Sequence, residues 1–298
     1  MESGAGIDPR SRRALVVALL AAAAATAAPA RAASVRDRWF TAGDGARLHY
    51  LEAGPAGAPT IVFVPGWTMP AWIWERQVQA FAGRYHVVAF DPRGQGESEI
   101  TGGGYVPDRR GRDIGELIEG LGPRPVLLVA WSLGVLDALA YVAASGDARL
   151  AGLVLVDNSI GEDPPPPTLP RRAGPRPPRE AAMREFVHGM FRTPQDPAWL
   201  DRLVRTCLRT PEPAARALLA YPLPRSYWRD AVHGASRPLL YVIRPRWSAQ
   251  AEALVRARPA AETALFEDAG HALFIDRADR FNAVLGGFID RRVWVHAP

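Results

Sequence analysis

Thr60-Ile-Val-Phe-Val64 is apolar at every position after its threonine, and comparable runs follow at Tyr85–Phe90, Pro125–Ala130, Leu153–Val156 and Leu239–Ile243. A strand with one wet face alternates polar and apolar side chains. A strand covered on both faces reads as continuously apolar. Between these runs the apolar residues fall at helical spacing instead: Trp72, Val78 and Phe81 within 71–82, then Ile114, Leu117 and Ile118 within 108–121, then the stretch 133–144. Strand and helix in alternation predict an α/β fold, a mostly parallel sheet flanked by helices on both faces. Arg47-Leu-His-Tyr-Leu51 alternates and predicts an early antiparallel strand, Leu265-Phe266 a short last strand, and Phe281–Phe288 an amphipathic closing helix.

Two segments depart from this pattern. Gly161–Arg179 holds eight prolines, too many for a helix interior or a central strand. Short helical patterns follow at about 180–192, 197–208, 211–220 and 225–233, so residues 160–235 read as a proline-rich helical cap inserted after the sixth strand. The core then comprises 33–159 and 236–298. The second departure is the amino terminus. Arg10, Arg12 and Arg13 precede an apolar, alanine-rich stretch from Ala14 to Ala28, and Ala30-Arg31-Ala32 fits a small-x-small cleavage pattern. Residues 1–32 are therefore expected to be an export signal. Ser11-Arg12-Arg13-Ala14-Leu15-Val16 fits the twin-arginine route, and the product is expected to be periplasmic or secreted with no stable membrane anchor.

Composition narrows the chemistry. The 298 residues include 36 basic side chains, every one an arginine, which excludes Schiff-base, lysine-base and Walker-type chemistry. The single cysteine, Cys207, excludes an internal disulfide and a cysteine-built metal site, and no metal or cofactor is expected. A net charge of +5 invites a nucleic-acid partner. The leader carries four of the arginines and two acids, so its removal leaves +3, and no nucleic-acid partner is expected.

Ala130-Trp131-Ser132-Leu133-Gly134 lies between a buried strand and a helix, the context of a nucleophile elbow. The turn is so tight that the residues two before and two after the serine must be small, as Ala130 and Gly134 are. Ser132 would then stand at a helix N-terminus that favours developing negative charge. Val64-Pro65-Gly66-Trp67 ends the preceding apolar strand, and the N–H groups of Trp67 and Leu133 are candidates for an oxyanion hole. Ala269-Gly270-His271 falls on the loop before the closing helix, which makes His271 the candidate base. Gly66 and Trp131 are candidates for the substrate pocket.

These motifs resemble the α/β-hydrolase superfamily over residues 37–157 and 237–291. Asp91-Pro-Arg-Gly-Gln-Gly-Glu-Ser98 is similar to a loop common in these proteins, with Asp91 and Ser98 read as structuring residues. Gly270-His271 followed by Phe274, Asp276, Phe281 and Asn282 resembles the family's histidine segment. Gly-Trp after the third strand is most similar to the non-haem haloperoxidase and aryl-esterase type members, with Pro65 where they carry histidine. The resemblance implies an acid a few residues after the strand Leu239–Ile243, yet that segment reads Arg244-Pro-Arg-Trp-Ser-Ala-Gln. Some superfamily members carry the acid at the end of the preceding strand, where this chain has Asp157. Glu252 is the alternative.

The resemblance thus implies a serine hydrolase that cleaves a small carboxylic ester through Ser132, His271 and Asp157. A serine nucleophile argues against dehalogenase and epoxide-hydrolase chemistry as the family performs it. Other serine-based activities (perhydrolase or haloperoxidase, carbon–carbon hydrolase, lactonase, amidase) stay open, as does a non-catalytic ligand-binding member. Four tryptophans near the motifs, Trp67, Trp72, Trp74 and Trp131, suggest an apolar acyl pocket.

Overall fold

The computed structural model describes Met1 and residues 34–165 and 177–295. The expected export signal, apart from Met1, and the centre of the proline-rich stretch lie outside the described residues, as does His296. Among the described residues no helix is long and apolar enough to cross a membrane.

Eight strands form one sheet: β1 (Arg36–Thr41), β2 (Arg47–Ala53), β3 (Thr60–Val64), β4 (His86–Asp91), β5 (Val126–Trp131), β6 (Leu150–Val156), β7 (Leu239–Ile243) and β8 (Glu262–Leu265). Their order is β1-β2-β4-β3-β5-β6-β7-β8. β2 runs antiparallel to both its neighbours, and β3 to β8 are all parallel. The apolar runs are buried strands for the reason their composition implies. On β3, Ile61 and Phe63 enter the core on one face of the sheet while Val62 and Val64 enter the core on the other. β8 lies at Glu262–Leu265, slightly before its expected place. As an edge strand it alternates half-buried and exposed side chains and carries no continuous apolar signal. β1, also at an edge and almost wholly exposed, left no pattern in the sequence at all.

The helices are α1 (Glu75–Phe81, preceded by a 3₁₀ turn at Ala71–Trp74), α2 (Pro107–Gly120), α3 (Leu133–Ser145), α4 (Arg179–His188), α5 (Pro197–Arg209), α6 (Glu212–Leu218), α7 (Arg225–Gly234), α8 (Ser248–Ala257), α9 (Leu273–Asp276) and α10 (Ala278–Phe288). Four of them, α4 to α7, fall between β6 and β7. They are not equivalent. Met183, Val187, Leu203 and Val204 of α4 and α5 join the core on the Phe63 face, whereas Trp228, Ala231 and Val232 of α7 pack into the core on the opposite face.

Buried ion pairs join strand end to helix, helix to helix and strand to strand. Arg93, after β4, donates from Nε and Nη2 to the two carboxylate oxygens of Asp113 on α2 at 2.6 and 2.7 Å. Arg110 on α2 reaches Asp137 on α3 at 2.7 Å. His49 and Asp91 are paired residues of β2 and β4. The His49 ring lies 2.7 Å from Asp91 Oδ2 through Nδ1 and 3.1 Å from Asp37 Oδ1 through Nε2. Burial pulls this imidazole's pKa down, but the hydrogen bonds and charges of Asp91 and Asp37 outweigh it and carry the pKa above the ordinary 6.5. A group whose pKa is raised by folding stabilises the fold fully below its unfolded pKa and ceases to do so as pH rises through the folded one. The stability difference between the wild type and His49→Gln should therefore be larger at about pH 6 than at about pH 9. Denaturant unfolding at the two pH values checks this, and a difference independent of pH would contradict it.

Candidate active site

The six parallel strands all end on the same side, the place where open α/β sheets bind ligands. β5 delivers Ser132 there. Its backbone is in the left-handed region, φ 55 and ψ −122, an unusual conformation for a residue with a Cβ and typical of strained functional turns. The turn is held by Ser132 N–H donating to Val156 O at 2.9 Å and by Asn158 Nδ2 donating to Ser132 O at 2.7 Å. The requirement for small neighbours has a measurable origin. A Cβ at Gly134 would lie 2.6 Å from Pro65 O and 2.8 Å from Val64 O, and one at Gly66 would lie 2.9 Å from Ser132 Cβ. The end of β3 and the start of α3 press together around the serine.

His271 lies on the loop between β8 and α9. Its Nε2 is 2.8 Å from Ser132 Oγ, and its Nδ1 is 2.6 Å from Asp157 Oδ2. Asp157 follows β6, also in the left-handed region at φ 51, with its N–H donating to Val242 O at 2.9 Å. Its side chain is fully buried. The three residues form one hydrogen-bonded row. In the tautomer that fits it, Nδ1 donates to Asp157 and Nε2 accepts from Ser132. Glu252, the alternative acid, lies on α8 with a largely exposed side chain, 4.0 Å from Arg256.

Leu133 directly follows Ser132, and Trp67 follows Gly66, the residue packed against the serine. Leu133 is the first residue of α3, so its N–H has no partner within the helix. Trp67 is fixed by its indole, which donates to Ala215 O at 2.7 Å. Gln95 braces the backbone behind it. Its Oε1 accepts from Thr68 N–H at 2.8 Å, and its Nε2 donates to Gly66 O and Met69 O at 3.1 and 3.2 Å. This brace occupies the turn where Pro65 replaces the family's histidine. Asp91 and Ser98 structure the loop below: Asp91 accepts from the N–H groups of Ala71 and Glu97, and Ser98 Oγ donates to Asp91 O.

A cavity of about 800 Å³ borders His271, walled by Trp67, Met183, Phe186, Met190 and Arg244 among others. Trp67 meets Phe186 edge-on, ring centroids 5.1 Å apart. The two remaining pocket candidates are corrected. Trp131 is only 1% exposed and lies behind the histidine, its ring 5.0 Å from the His271 ring and its indole donating to His271 O at 2.9 Å. Gly66 is pressed against Ser132 and forms no part of the cavity wall. Both belong to the support of the row. Cys207 offers no rival nucleophile, because burial pushes its thiol up to about 12.

Three supporting residues were not singled out for their roles in the sequence. Asn158 holds the serine turn. Asp276 accepts from the N–H groups of Gly270, Arg192 and Thr193 and from the Thr193 hydroxyl, which ties the histidine loop to the segment after α4. Arg244 donates to Asp157 from both its backbone N–H and its Nε, at 3.2 and 2.7 Å. Asp276 stood within the histidine segment, and Arg244 stood where an acid was expected. Each was visible as a residue but not as a contact.

A sequence profile described as the alpha/beta hydrolase family matches residues 61–284. A non-heme haloperoxidase of Rhodococcus erythropolis is 36% identical over 128 residues, 43% of this chain and 44% of that protein. A bifunctional esterase/perhydrolase of Acinetobacter calcoaceticus is 32% identical over 119 residues, 40% of this chain and 43% of that protein. The matches thus span less than half the length of these curated relatives. Among solved structures, a Burkholderia cenocepacia protein assigned as an aryl esterase superposes with a TM-score of 0.76 at 26% identity, covering 86% of this chain and 98% of that one. A bromoperoxidase from Bacillus anthracis shares the fold, with a TM-score of 0.70 at 19% identity over 86% and 100% of the two chains.

The contact at Gly134 makes a prediction about the turn. Gly134→Ala pushes a methyl against two backbone carbonyls and should lower unfolding stability by about 1–3 kcal/mol. Denaturant unfolding measures this, and an unchanged midpoint would mean that β3 and α3 can part without cost.

Proposed function

This chain belongs to the alpha/beta hydrolase family, and from that footing we propose that it is a serine hydrolase cleaving small carboxylic esters through an acyl-enzyme. The observation that supports this most is the row Ser132–His271–Asp157, with contacts of 2.8 and 2.6 Å at the edge of a cavity whose wall combines aromatic and methionine side chains with charged ones. His271 Nε2 takes the proton of Ser132 as Oγ attacks the ester carbonyl. The N–H groups of Trp67 and Leu133 receive the oxyanion, aided by the dipole of α3. Collapse of the tetrahedral species breaks the bond to the alcohol, whose oxygen takes the proton from His271. Water, deprotonated by His271, then attacks the acyl carbon and releases the acid and Ser132. Asp157 holds the ring in the working tautomer and stabilises the imidazolium formed in each half. Trp67, Met183, Phe186 and Met190 suit an aromatic or medium-chain acyl group.

We propose further that residues 1–32 are an export signal, on the strength of their basic start, alanine-rich apolar stretch and Ala30-Arg31-Ala32. Protein recovered from outside the cytoplasm should begin at Ala33 on amino-terminal sequencing. Ser132→Ala should abolish turnover of p-nitrophenyl esters and labelling by a fluorophosphonate while leaving the melting temperature nearly unchanged. Retained turnover would end the assignment. Asp157→Asn should lower kcat by about 10⁴, the cost of losing the tautomer in a triad of this kind. A loss below about tenfold would mean that another group serves as the acid.

A further inference from the structure

Arg244 directly follows β7, in the segment where the family resemblance implied a carboxylate, and it grips the carboxylate standing one strand away. We propose that Arg244 is a positioning residue for the reaction: it fixes the Asp157 carboxylate in the orientation His271 needs and supplies its counter-charge. The proposal rests on the serine-hydrolase reading above.

The geometry carries it. Among the described residues, every hydrogen bond to the Asp157 carboxylate other than the one from His271 comes from Arg244. Oδ1 receives the Arg244 backbone N–H at 3.2 Å, and Oδ2 receives Arg244 Nε at 2.7 Å beside His271 Nδ1 at 2.6 Å. Two donors from one residue, one on each oxygen, define the carboxylate plane.

Charge gives the second argument. Asp157 is fully buried, and for His271 to act as the base its ring must be neutral before the reaction. A buried carboxylate facing only a neutral imidazole is poorly compensated, whereas one facing a guanidinium is paired. Arg244 itself is about a quarter exposed and lines the cavity, so it is reached from the substrate side. Its Nη2 stands 3.4 Å from His271 Nδ1. Nδ1 is the donor to Asp157, so that approach is a juxtaposition of two donors rather than a hydrogen bond. The guanidinium and the imidazole lie side by side on one carboxylate, and neither displaces the other because Asp157 has lone pairs for both.

The experiment compares Arg244→Gln, Arg244→Lys, Asp157→Asn and the double variant D157N/R244Q in the full chain. It reads kcat and KM on a neutral p-nitrophenyl ester and the rate of fluorophosphonate labelling of Ser132. Arg244→Gln should lower kcat by about ten- to a hundredfold, as a misplaced catalytic group does, with KM nearly unchanged and labelling slowed in parallel. Arg244→Lys keeps the backbone donor and the counter-charge and should fall between the wild type and Arg244→Gln. It also serves as the readout if the glutamine variant does not fold. The double variant should be no slower than Asp157→Asn alone, because Arg244 acts only through that carboxylate. Equal labelling rates in the wild type and both Arg244 variants would overturn the proposal, as would an Arg244→Gln loss that adds in full to Asp157→Asn. Failure of the wild type to label at Ser132 would overturn the hydrolase reading beneath it.

Discussion

A carboxylate removed from water must be met by donors or counter-charges, or its desolvation destabilises the fold. Asp157 is in that position at the end of β6, and the surrounding structure is arranged around it. β7 pairs alongside in register, so Val242 O accepts the Asp157 N–H and the next turn brings both donors of Arg244 to its oxygens. The histidine loop closes from the other side. Each contact depends on the parallel sheet holding β5, β6 and β7 flush at one edge, because a slip of one residue would reverse the direction of every side chain.

The histidine loop is itself held from two directions. Trp131, one residue before the serine, donates to the His271 carbonyl, so the strand that delivers Ser132 also anchors the His271 loop. Asp276 binds the N–H of Gly270 and those of Arg192 and Thr193. Ala272 N–H donates to Met190 O. The segment after α4 and the histidine loop therefore behave as one piece.

The legibility of the sequence followed the strength of each physical constraint. Five central strands and the serine turn were readable because burial on both faces demands continuous apolar runs, and because the close approach at Gly66 and Gly134 demands small residues. β1 was not readable, and β8 only roughly, since edge strands with wet faces impose little on composition. Ser132 and His271 stood out through local context. Asp157 was reached only through the resemblance to members that carry an acid after the preceding strand, and Glu252 remained beside it, because a triad acid is defined by a distance across strands rather than by its neighbours in sequence. Trp131 was misjudged for the same reason. A tryptophan beside a nucleophile points into the pocket or away from it according to strand parity, and on β5 the parity sends it behind His271 with Leu127 and Val129.

The absence of lysine bears on this site in a way composition alone did not reveal. A lysine at the end of β7 is a point charge on a flexible stem, able to neutralise Asp157 but free to swing between it and solvent. Arginine adds a rigid plane. With Nε directed at Oδ2 and the backbone N–H of the same residue at Oδ1, the carboxylate is held at two points, and the terminal nitrogens remain toward the cavity. The acid one strand over and the arginine in the β7 segment are therefore best understood together. Asp157 after β6 is buried beyond the reach of water, and the β7 segment, which carries no acid of its own, supplies its anchor.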